Sequence, residues 1–301
     1  MSATAERYRR FAAREARGVS PCFARWALGV AGDAEVLALL DTLPDAKRQP
    51  NLVFAAARFL GLPAGPYDGL RDLLLSRWAE VRNIIRTRRT QTNEVGRCAT
   101  LLPVLATLPP PLALLEVGAS AGLCLYPDRY SYRYGNRPVL GSSPVVIDCA
   151  TTGDVPVPSA LPEVVWRAGI DLNPLDVRDQ DSVRWLETLI WPEHDVRRTR
   201  LAAAVEVVRA EPPRLVRGDL TETVARLAAD APDDATLVIF HSAVLAYLRP
   251  DERERFATTV GTLDAHWLAN EGTDDGSFLV TLDGTPVARA AAHGQSLHWL
   301  S

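Results

Sequence analysis

The chain has 301 residues and a formal net charge of −4. With 47% hydrophobic and 23% charged residues, its composition is that of a globular protein and argues against a disordered chain or a fibre. The acidic balance gives no overall attraction to nucleic acid, which we do not expect as a partner. No run approaches the roughly 18 apolar residues of a spanning helix, and the charged N-terminus lacks a signal peptide's apolar stretch. We therefore expect a cytoplasmic protein without a membrane partner.

Cysteine and histidine are scattered along the chain. The four cysteines form no C-x-x-C pair, and the five histidines form no H-x-x-x-H pair on a predicted helix. The sequence therefore predicts neither a disulfide framework nor a metal site.

Residues 1–108 are predicted to form an N-terminal helical cap domain. Apolar positions recur at helical spacing in segments 35–43, 52–60 and 70–85, and nothing there alternates like a strand. Proline and glycine mark the loops between these segments.

An arginine-rich segment, residues 82–97, closes this helical region. Five arginines there accompany one glutamate, Glu94. One interpretation is a solvated helix face. The other is a cap whose arginines, with Gln91, Asn93 and Glu94, bind an anionic or carboxylate ligand. On the second interpretation the candidate substrate-binding residues are Arg89, Asn93 and Arg97.

Residues 109–301 are predicted to form a Rossmann-like α/β domain. Segment 112–117 is a short apolar run ending in glycines, typical of a strand buried on both faces of a parallel sheet. Further predicted strands are 145–148, 164–171, 214–216, 236–240, and the C-terminal hairpin of 278–282 with 287–290. Predicted helices lie at 183–190, 199–209, 223–229 and 251–263. Strands that alternate with helices indicate a doubly wound α/β sheet.

The most informative segment is LLEVGASAGLCLY, residues 114–126, which we interpret as a strand, a glycine turn and the start of a helix. A dinucleotide-binding loop would need G-x-G-x-x-G, and Glu116 would repel its pyrophosphate. The same turn matches the G-x-S-x-G nucleophile elbow of a serine hydrolase, with Ser120 as nucleophile. Asp219 and His241 follow in the required order, but no histidine or oxyanion segment precedes the turn.

The third interpretation is the first loop of a class I S-adenosylmethionine (SAM) methyltransferase. SAM has no phosphate and carries a sulfonium and an ammonium, so an acid at Glu116 suits it. Glycines let the backbone approach the ligand, and the following helix N-terminus would face its carboxylate. The predicted cofactor-binding residues of this turn are Glu116, Gly118, Ala119, Ser120 and Gly122.

The ends of later strands fit the same plan. Asp171, followed by Leu172, could accept both ribose hydroxyls, and Asp219 with Leu220 lies where the adenine would be expected. His241 and Ser242 end a fourth strand, which faces the transferred group. Ligands of open α/β sheets bind at the carboxyl ends of strands, so these residues are predicted to meet in one crevice.

Two of these residues have candidate catalytic roles. His241, which is also a candidate cofactor contact, could take a proton from the acceptor, although a buried histidine satisfied by its neighbours is an equal alternative. Tyr130 is the second catalytic candidate, and Tyr132 and Ser242 are candidate substrate contacts. Core packing is the alternative role for the tyrosines.

The spacing between Glu116 and Asp171 exceeds the roughly 30 residues of one strand-helix-strand unit, which predicts an insertion at about 126–163. The insertion contains Asp148, a rival to Asp171 for the ribose. A turn or helix cap is the alternative role for either aspartate.

These segments resemble a known family when taken with TNEVGR (92–97), SSPV (142–145), WLETLIWPE (185–193) and FLVTLDGTPVA (278–288). The chain resembles, over nearly its whole length, the bacterial domain of unknown function 2332 family. The Rossmann-like portion of that family is similar to SAM-dependent methyltransferases. Cys124 stands where the family's turn would have asparagine.

The sequence and this resemblance together favour an enzyme that uses SAM to methylate a small molecule held under the helical cap. Alternatives are another SAM reaction, namely aminocarboxypropyl transfer or cyclisation, a non-catalytic SAM-binding protein, and a serine hydrolase using Ser120. A homodimer is compatible with the sequence.

Overall fold

A computed structural model describes residues 2–300 of the chain. It is a mixed α/β structure with eleven α-helices and one ten-stranded sheet in the described part. Contacts divide the chain into a helical unit, residues up to 92 together with 180–199, and a sheet unit, residues 93–179 together with those from 200 onward. Segment 93–108 therefore groups with the sheet. No helix within residues 2–300 has the length and apolarity to cross a bilayer.

The helices are α1 Ala3–Phe11, α2 Pro21–Gly32, α3 Ala34–Asp41, α4 Pro50–Phe59, α5 Tyr67–Ser76, α6 Trp78–Thr87, α7 Cys98–Leu105, α8 Gln180–Leu189, α9 Asp195–Ala210, α10 Leu220–Ala228 and α11 Pro250–Gly261. The predicted helical segments are present, one of them as two helices, and α1, α2 and α7 lie outside them. The segment 70–85 is two helices, because the backbone of Arg77 (φ −123°, ψ 30°) leaves helical values between them.

The helical unit has an aromatic core centred on Phe54 of α4. Its ring centroid lies 5.0 Å from that of Phe23 and 5.5 Å from that of Trp26, both on α2. The side chain of Ser20 caps α2 by accepting a hydrogen bond from the Phe23 N–H. Apolar burial and capping thus account for these helices from the sequence alone.

The strands are β1 Leu112–Val117, β2 Ser131–Tyr134, β3 Val146–Thr152, β4 Val164–Asp171, β5 Arg214–Arg217, β6 Thr236–Ser242, β7 His266–Gly272, β8 Phe278–Leu282, β9 Thr285–Ala290 and β10 Ser296–Trp299. Their order in the sheet is β2-β3-β10-β9-β8-β7-β6-β1-β4-β5. The five strands from β7 to β5 are mutually parallel. The next two, β8 and β9, pair antiparallel.

Strand β1 is the middle one of the five parallel strands. All six of its residues are buried, as its mostly apolar sequence predicts. Helices α10 and α11 cover one face through Val224, Leu227, Phe256 and Val260, which pack against Leu115 and other strand residues. The predicted α/β class is confirmed, and the predicted insertion supplies β2 and β3 at the far edge of the sheet.

The predicted helix after the glycine turn is wrong. Residues 123–125 form a single 3₁₀ turn, and the chain then runs to β2. Pro127 has no N–H for a helical bond to Leu123, which explains why the turn is not extended. The N–H of Leu123 instead donates to the Asn93 side-chain oxygen at 2.8 Å. The turn therefore presents no helix N-terminus to a ligand.

Candidate functional site

The glycine turn at the end of β1 is held against β4 by backbone bonds. The N–H groups of Gly118 and Ala119 both donate to the Ile170 carbonyl oxygen, at 2.7 and 3.0 Å. Gly118 has a φ of 72°, and a Cβ at this position would lie 2.4 Å from Cγ2 of Val244. Only glycine fits here without displacing the segment that follows β6.

Ser120 lies at the tip of this turn in a left-handed conformation, with a φ of 53°. Its N–H donates to Oδ2 of Asp171 at 2.9 Å, and its carbonyl accepts from the Leu175 N–H at 3.0 Å. The side chain is buried. The turn is thus fixed to the segment that follows β4, as the predicted crevice requires.

Glu116 is the unusual residue of the site. Its side chain is buried, with 4% of the residue exposed, and Oε2 has no hydrogen-bond partner among residues 2–300. Burial raises the pKa of this carboxyl well above its ordinary value, and Cys124 and Asp171 raise it further, while Arg97 opposes them. A buried acceptor without a donor is costly, so its presence points to a group that binds there.

Arg97 is buried beside this region rather than solvated. Its Nε donates to the Ala292 carbonyl at 3.0 Å and its Nη1 to the Ser242 carbonyl at 3.1 Å. Its guanidinium also lies 5.5 Å from the centre of the Phe278 ring. The solvated-face interpretation is therefore wrong for Arg97, whose bonding groups are directed at backbone oxygens.

The other candidates of the arginine-rich segment have varied surroundings. The Asn93 side chain binds the Leu123 N–H, and the buried Glu94 carboxylate accepts from the Gly96 N–H and lies 3.3 Å from Arg200. Arg89 belongs to the helical unit, where its carbonyl accepts from the indole of Trp185. The substrate-binding roles of Arg89, Asn93 and Arg97 stay predictions.

Asp171 is held by two backbone N–H groups. Besides the bond from Ser120, its Oδ1 accepts from the Asn173 N–H at 2.7 Å. Leu172 beside it is 54% exposed. The rival Asp148 lies on β3, where Arg133 binds it at 2.8 Å, and five strands separate β3 from β1. Asp171 therefore lies at the glycine turn and Asp148 does not.

Asp219 and Leu220 lie where β5 leads into α10. The Asp219 side chain caps that helix by accepting from the Thr221 N–H at 2.8 Å. Leu220 packs into the core under β1 and β4. Their contact with adenine stays a prediction.

His241 lies fully buried near the end of β6. Its Nδ1 is 2.6 Å from Oε1 of Glu271, and its Nε2 accepts from the indole N–H of Trp267 at 2.9 Å. Glu271 also accepts from the Val244 N–H. Both ring nitrogens of His241 are thus engaged, which matches the satisfied-histidine alternative; its catalytic role stays a prediction.

Tyr130 and Tyr132 are fully buried. Their hydroxyl groups donate to the carbonyl oxygens of Leu123 and Pro127, each at 2.7 Å. Burial raises the pKa of both phenols well above the ordinary value. These contacts support the core-packing alternative, and the roles of both tyrosines in the reaction stay predictions.

Sequence reasoning missed two residues of β7, Asn270 and Glu271. Asn270 is fully buried, and its side-chain nitrogen donates to Ser242 Oγ at 3.0 Å and Thr100 Oγ1 at 3.3 Å, while its Oδ1 has no partner among residues 2–300. The sequence of β7, HWLANEG, is neither an apolar run nor an alternation of apolar and polar residues, so no strand was predicted there. Its pairing with β6 brings Asn270 opposite Ser242.

No cluster of three or more histidine, cysteine, aspartate or glutamate side chains within the described chain is arranged to hold a metal ion.

Comparison with known proteins identifies the family of the chain. None of the curated proteins compared with the chain matches it. The sequence profile described as "Uncharacterized protein conserved in bacteria (DUF2332)" matches residues 5–299. Since this match covers almost the whole length, the family predicted from the motifs is confirmed, and the chain belongs to the bacterial DUF2332 family.

Proposed function

We propose that the protein is a SAM-dependent methyltransferase that acts on a small molecule. The observation that carries this proposal is the buried carboxyl of Glu116, the last residue but one of β1, with Oε2 unpartnered among residues 2–300. A cationic ligand would supply the missing partner, whereas a phosphate would place a second acidic group beside a buried carboxyl.

The order of the parallel strands supports a nucleoside site at this place. Strands β5-β4-β1-β6-β7 follow one another as 3-2-1-4-5 do in doubly wound sheets, whose topological switch point lies where the order reverses. Here that point is between β1 and β6. Glu116 and the glycine turn lie at its carboxyl end, where such sheets bind ligands. A class I methyltransferase-type fold is part of the proposal.

The residues around the turn fit the rest of a nucleoside. The two oxygens of Asp171 accept backbone N–H groups, and a carboxylate oxygen can accept more than one donor. Ribose hydroxyl groups are such donors. Leu172 offers an exposed apolar surface beside them. We assign the ribose to Asp171 and the ring to Leu172, Asp219 and Leu220.

SAM supplies an activated methyl group when bound. The protein's contribution is to hold the acceptor in line with that carbon and to exclude water, which accounts for much of the catalysis in a direct displacement. The engaged nitrogens of His241 suit a reaction in which alignment, not a general base, is the main requirement. That the N-terminal helices bind the acceptor stays a prediction, as do a homodimer and a cytoplasmic location.

Calorimetric titration with SAM and with S-adenosylhomocysteine tests the proposal. We expect binding to the wild type, and a loss of affinity for the Glu116→Ala and Asp171→Ala variants. Asp148→Ala is the matched control, because that carboxylate pairs with Arg133 far along the sheet. A flat titration for folded wild-type protein would remove the basis of the proposal.

Product analysis separates the alternatives. Methyl transfer yields S-adenosylhomocysteine, whereas aminocarboxypropyl transfer or cyclisation yields methylthioadenosine. Binding without either product would favour a non-catalytic SAM-binding protein. Labelling of Ser120 by a fluorophosphonate probe would favour the hydrolase, although the engaged nitrogens of His241 offer that serine no base.

A further inference from the structure

The backbone N–H groups of the turn after Glu116 and two nitrogens of Arg97 bond to other acceptors. The N–H groups of Gly118 and Ala119 donate to Ile170, and that of Ser120 donates to Asp171. Arg97 directs its Nε and Nη1 at backbone carbonyl oxygens. These groups therefore do not give Glu116 the hydrogen bonds that stabilise an ionised carboxylate in a protein interior.

The neighbouring carboxylate shows the contrast. Asp171 receives two backbone N–H bonds, one on each oxygen, whereas Oε2 of Glu116 receives none from residues 2–300. Both carboxyl groups lie at the carboxyl ends of adjacent strands, β4 and β1. The backbone N–H groups therefore stabilise a negative charge on Asp171 and not a second one on Glu116.

The titratable groups that face Glu116 act in the same direction, with one exception. Asp171 on β4 and Cys124 after the turn raise the pKa of Glu116, and the Arg97 guanidinium lowers it. Tyr130, which interacts electrostatically with Glu116, is a buried neutral phenol, and Cys98 beside Cys124 is a buried thiol. Burial itself has the largest effect and disfavours the charged form.

We infer that Glu116 is an uncharged carboxyl in the free protein and releases its proton when a cationic group binds beside it, so that it selects cationic over neutral nucleosides by proton exchange. The O–H bond of Glu116 breaks, the proton passes to solvent, and the carboxylate pairs with the incoming cation. This inference rests on the proposed function, since it takes SAM as the cation. It adds that affinity depends on pH and that loss of the ligand's positive charge returns the proton to Glu116.

Calorimetry of SAM binding in buffers of low and high ionisation enthalpy, such as PIPES and Tris, measures the released protons. The wild type should release about one proton more than Glu116→Gln, whose side chain has the same shape and no acidic proton. Below the raised pKa, the wild-type dissociation constant should fall up to tenfold for each unit of increasing pH, since the bound state holds one proton fewer. The variant should lack this dependence. Equal proton release by the two proteins would overturn the inference.

Infrared difference spectroscopy of the free proteins tests the inference without any ligand. A protonated-carboxyl band at neutral pH that is present in the wild type and absent from Glu116→Gln supports it, and the absence of such a band in the wild type overturns it. Failure of SAM to bind would instead remove the proposed function, while the infrared band would still decide the protonation of Glu116. The two failures are therefore distinguishable.

Discussion

Strands β1, β6 and β7 carry buried polar groups on both faces of the sheet, and the hydrogen bonding of these groups differs between the two faces. On the face covered by α11, His241 bonds to both Glu271 and Trp267. On the face that carries Glu116 and Asn270, one oxygen of each has no partner among residues 2–300.

This difference in hydrogen bonding distinguishes buried polar groups with a structural role from those that are candidates for binding a ligand. A paired buried group stabilises its surroundings, whereas an unpaired one carries an uncompensated desolvation cost. The histidine that looked catalytic in the sequence lies on the satisfied face. Glu116, on the other face, is the group that a ligand would complete.

Replacing Gly118 by alanine should have the largest effect on the Glu116 face. The left-handed φ and the 2.4 Å approach of a Cβ to Val244 together should cost about 2–5 kcal/mol of unfolding free energy. Urea denaturation measures this cost, and SAM titration of the remaining folded protein should show lost affinity because the turn has moved.

Gly284→Ala is the matched control for that variant. Gly284 has a similar φ of 80°, in the turn between β8 and β9, and nothing lies within 4 Å of its hypothetical Cβ. It should lose only about 1–2 kcal/mol from backbone strain and keep its SAM affinity. Equal effects of the two substitutions on SAM binding would contradict the account.

Trp267→Phe tests the satisfied face. It removes the N–H that donates to His241 Nε2, which leaves a buried acceptor unpaired and should cost about 1–3 kcal/mol of stability. SAM affinity should stay within twofold of the wild type. If the variant kept its stability in urea but lost SAM binding, the binding site would have to lie on the His241 face.

Asp171→Asn sharpens the contrast between the two carboxyl groups. Because both Asp171 oxygens accept backbone N–H groups, an amide nitrogen must face one of those donors, at a cost of about 2 kcal/mol. Asp148→Asn breaks a half-exposed ion pair with Arg133 and should cost less than about 1 kcal/mol. Thermal unfolding of both variants provides the comparison, and equal losses would count against the assigned role of Asp171.

Glu116→Gln should stabilise the protein, and the gain in stability should grow with pH. Folding raises the pKa of Glu116 above its ordinary value of 4.5, so above that pH the unfolded chain loses the proton first and wild-type stability falls. The variant does not titrate here and should gain up to about 1.4 kcal/mol per pH unit relative to the wild type. Chemical denaturation between pH 5 and 7 measures the difference, and a constant difference would argue against a raised pKa.

The sequence predicted the buried parallel strands well and the polar ones poorly. The bounds of β1 and β4 match the prediction, because each is rich in apolar residues and is followed directly by a turn. In β7 the polar residues Asn270 and Glu271 follow the apolar ones, and their importance arises from pairing with β6, which no local pattern contains.

The site was predicted in part for the same reason. Strand ends located Glu116 and Asp171, since the carboxyl ends of parallel strands meet at one edge. Local sequence could not show that the backbone bonds of the turn go to Ile170 and Asp171 and leave Glu116 without a donor. The prediction of a helix after the turn was wrong because it relied on the glycine pattern and neglected Pro127, which cannot donate the helical hydrogen bond.

Equilibrium dialysis of the wild type against labelled SAM and, in parallel, against labelled ATP distinguishes a site for a cationic nucleoside from a site for a phosphate. Both ligands contain adenosine, to which SAM attaches a methionine sulfonium with a net positive charge and ATP attaches a negatively charged triphosphate. We expect the protein to retain SAM and not ATP, because the buried carboxyl at the end of β1 ionises beside a cation and offers a phosphate no positive partner. Retention of ATP as strong as that of SAM, or of ATP alone, would contradict this expectation.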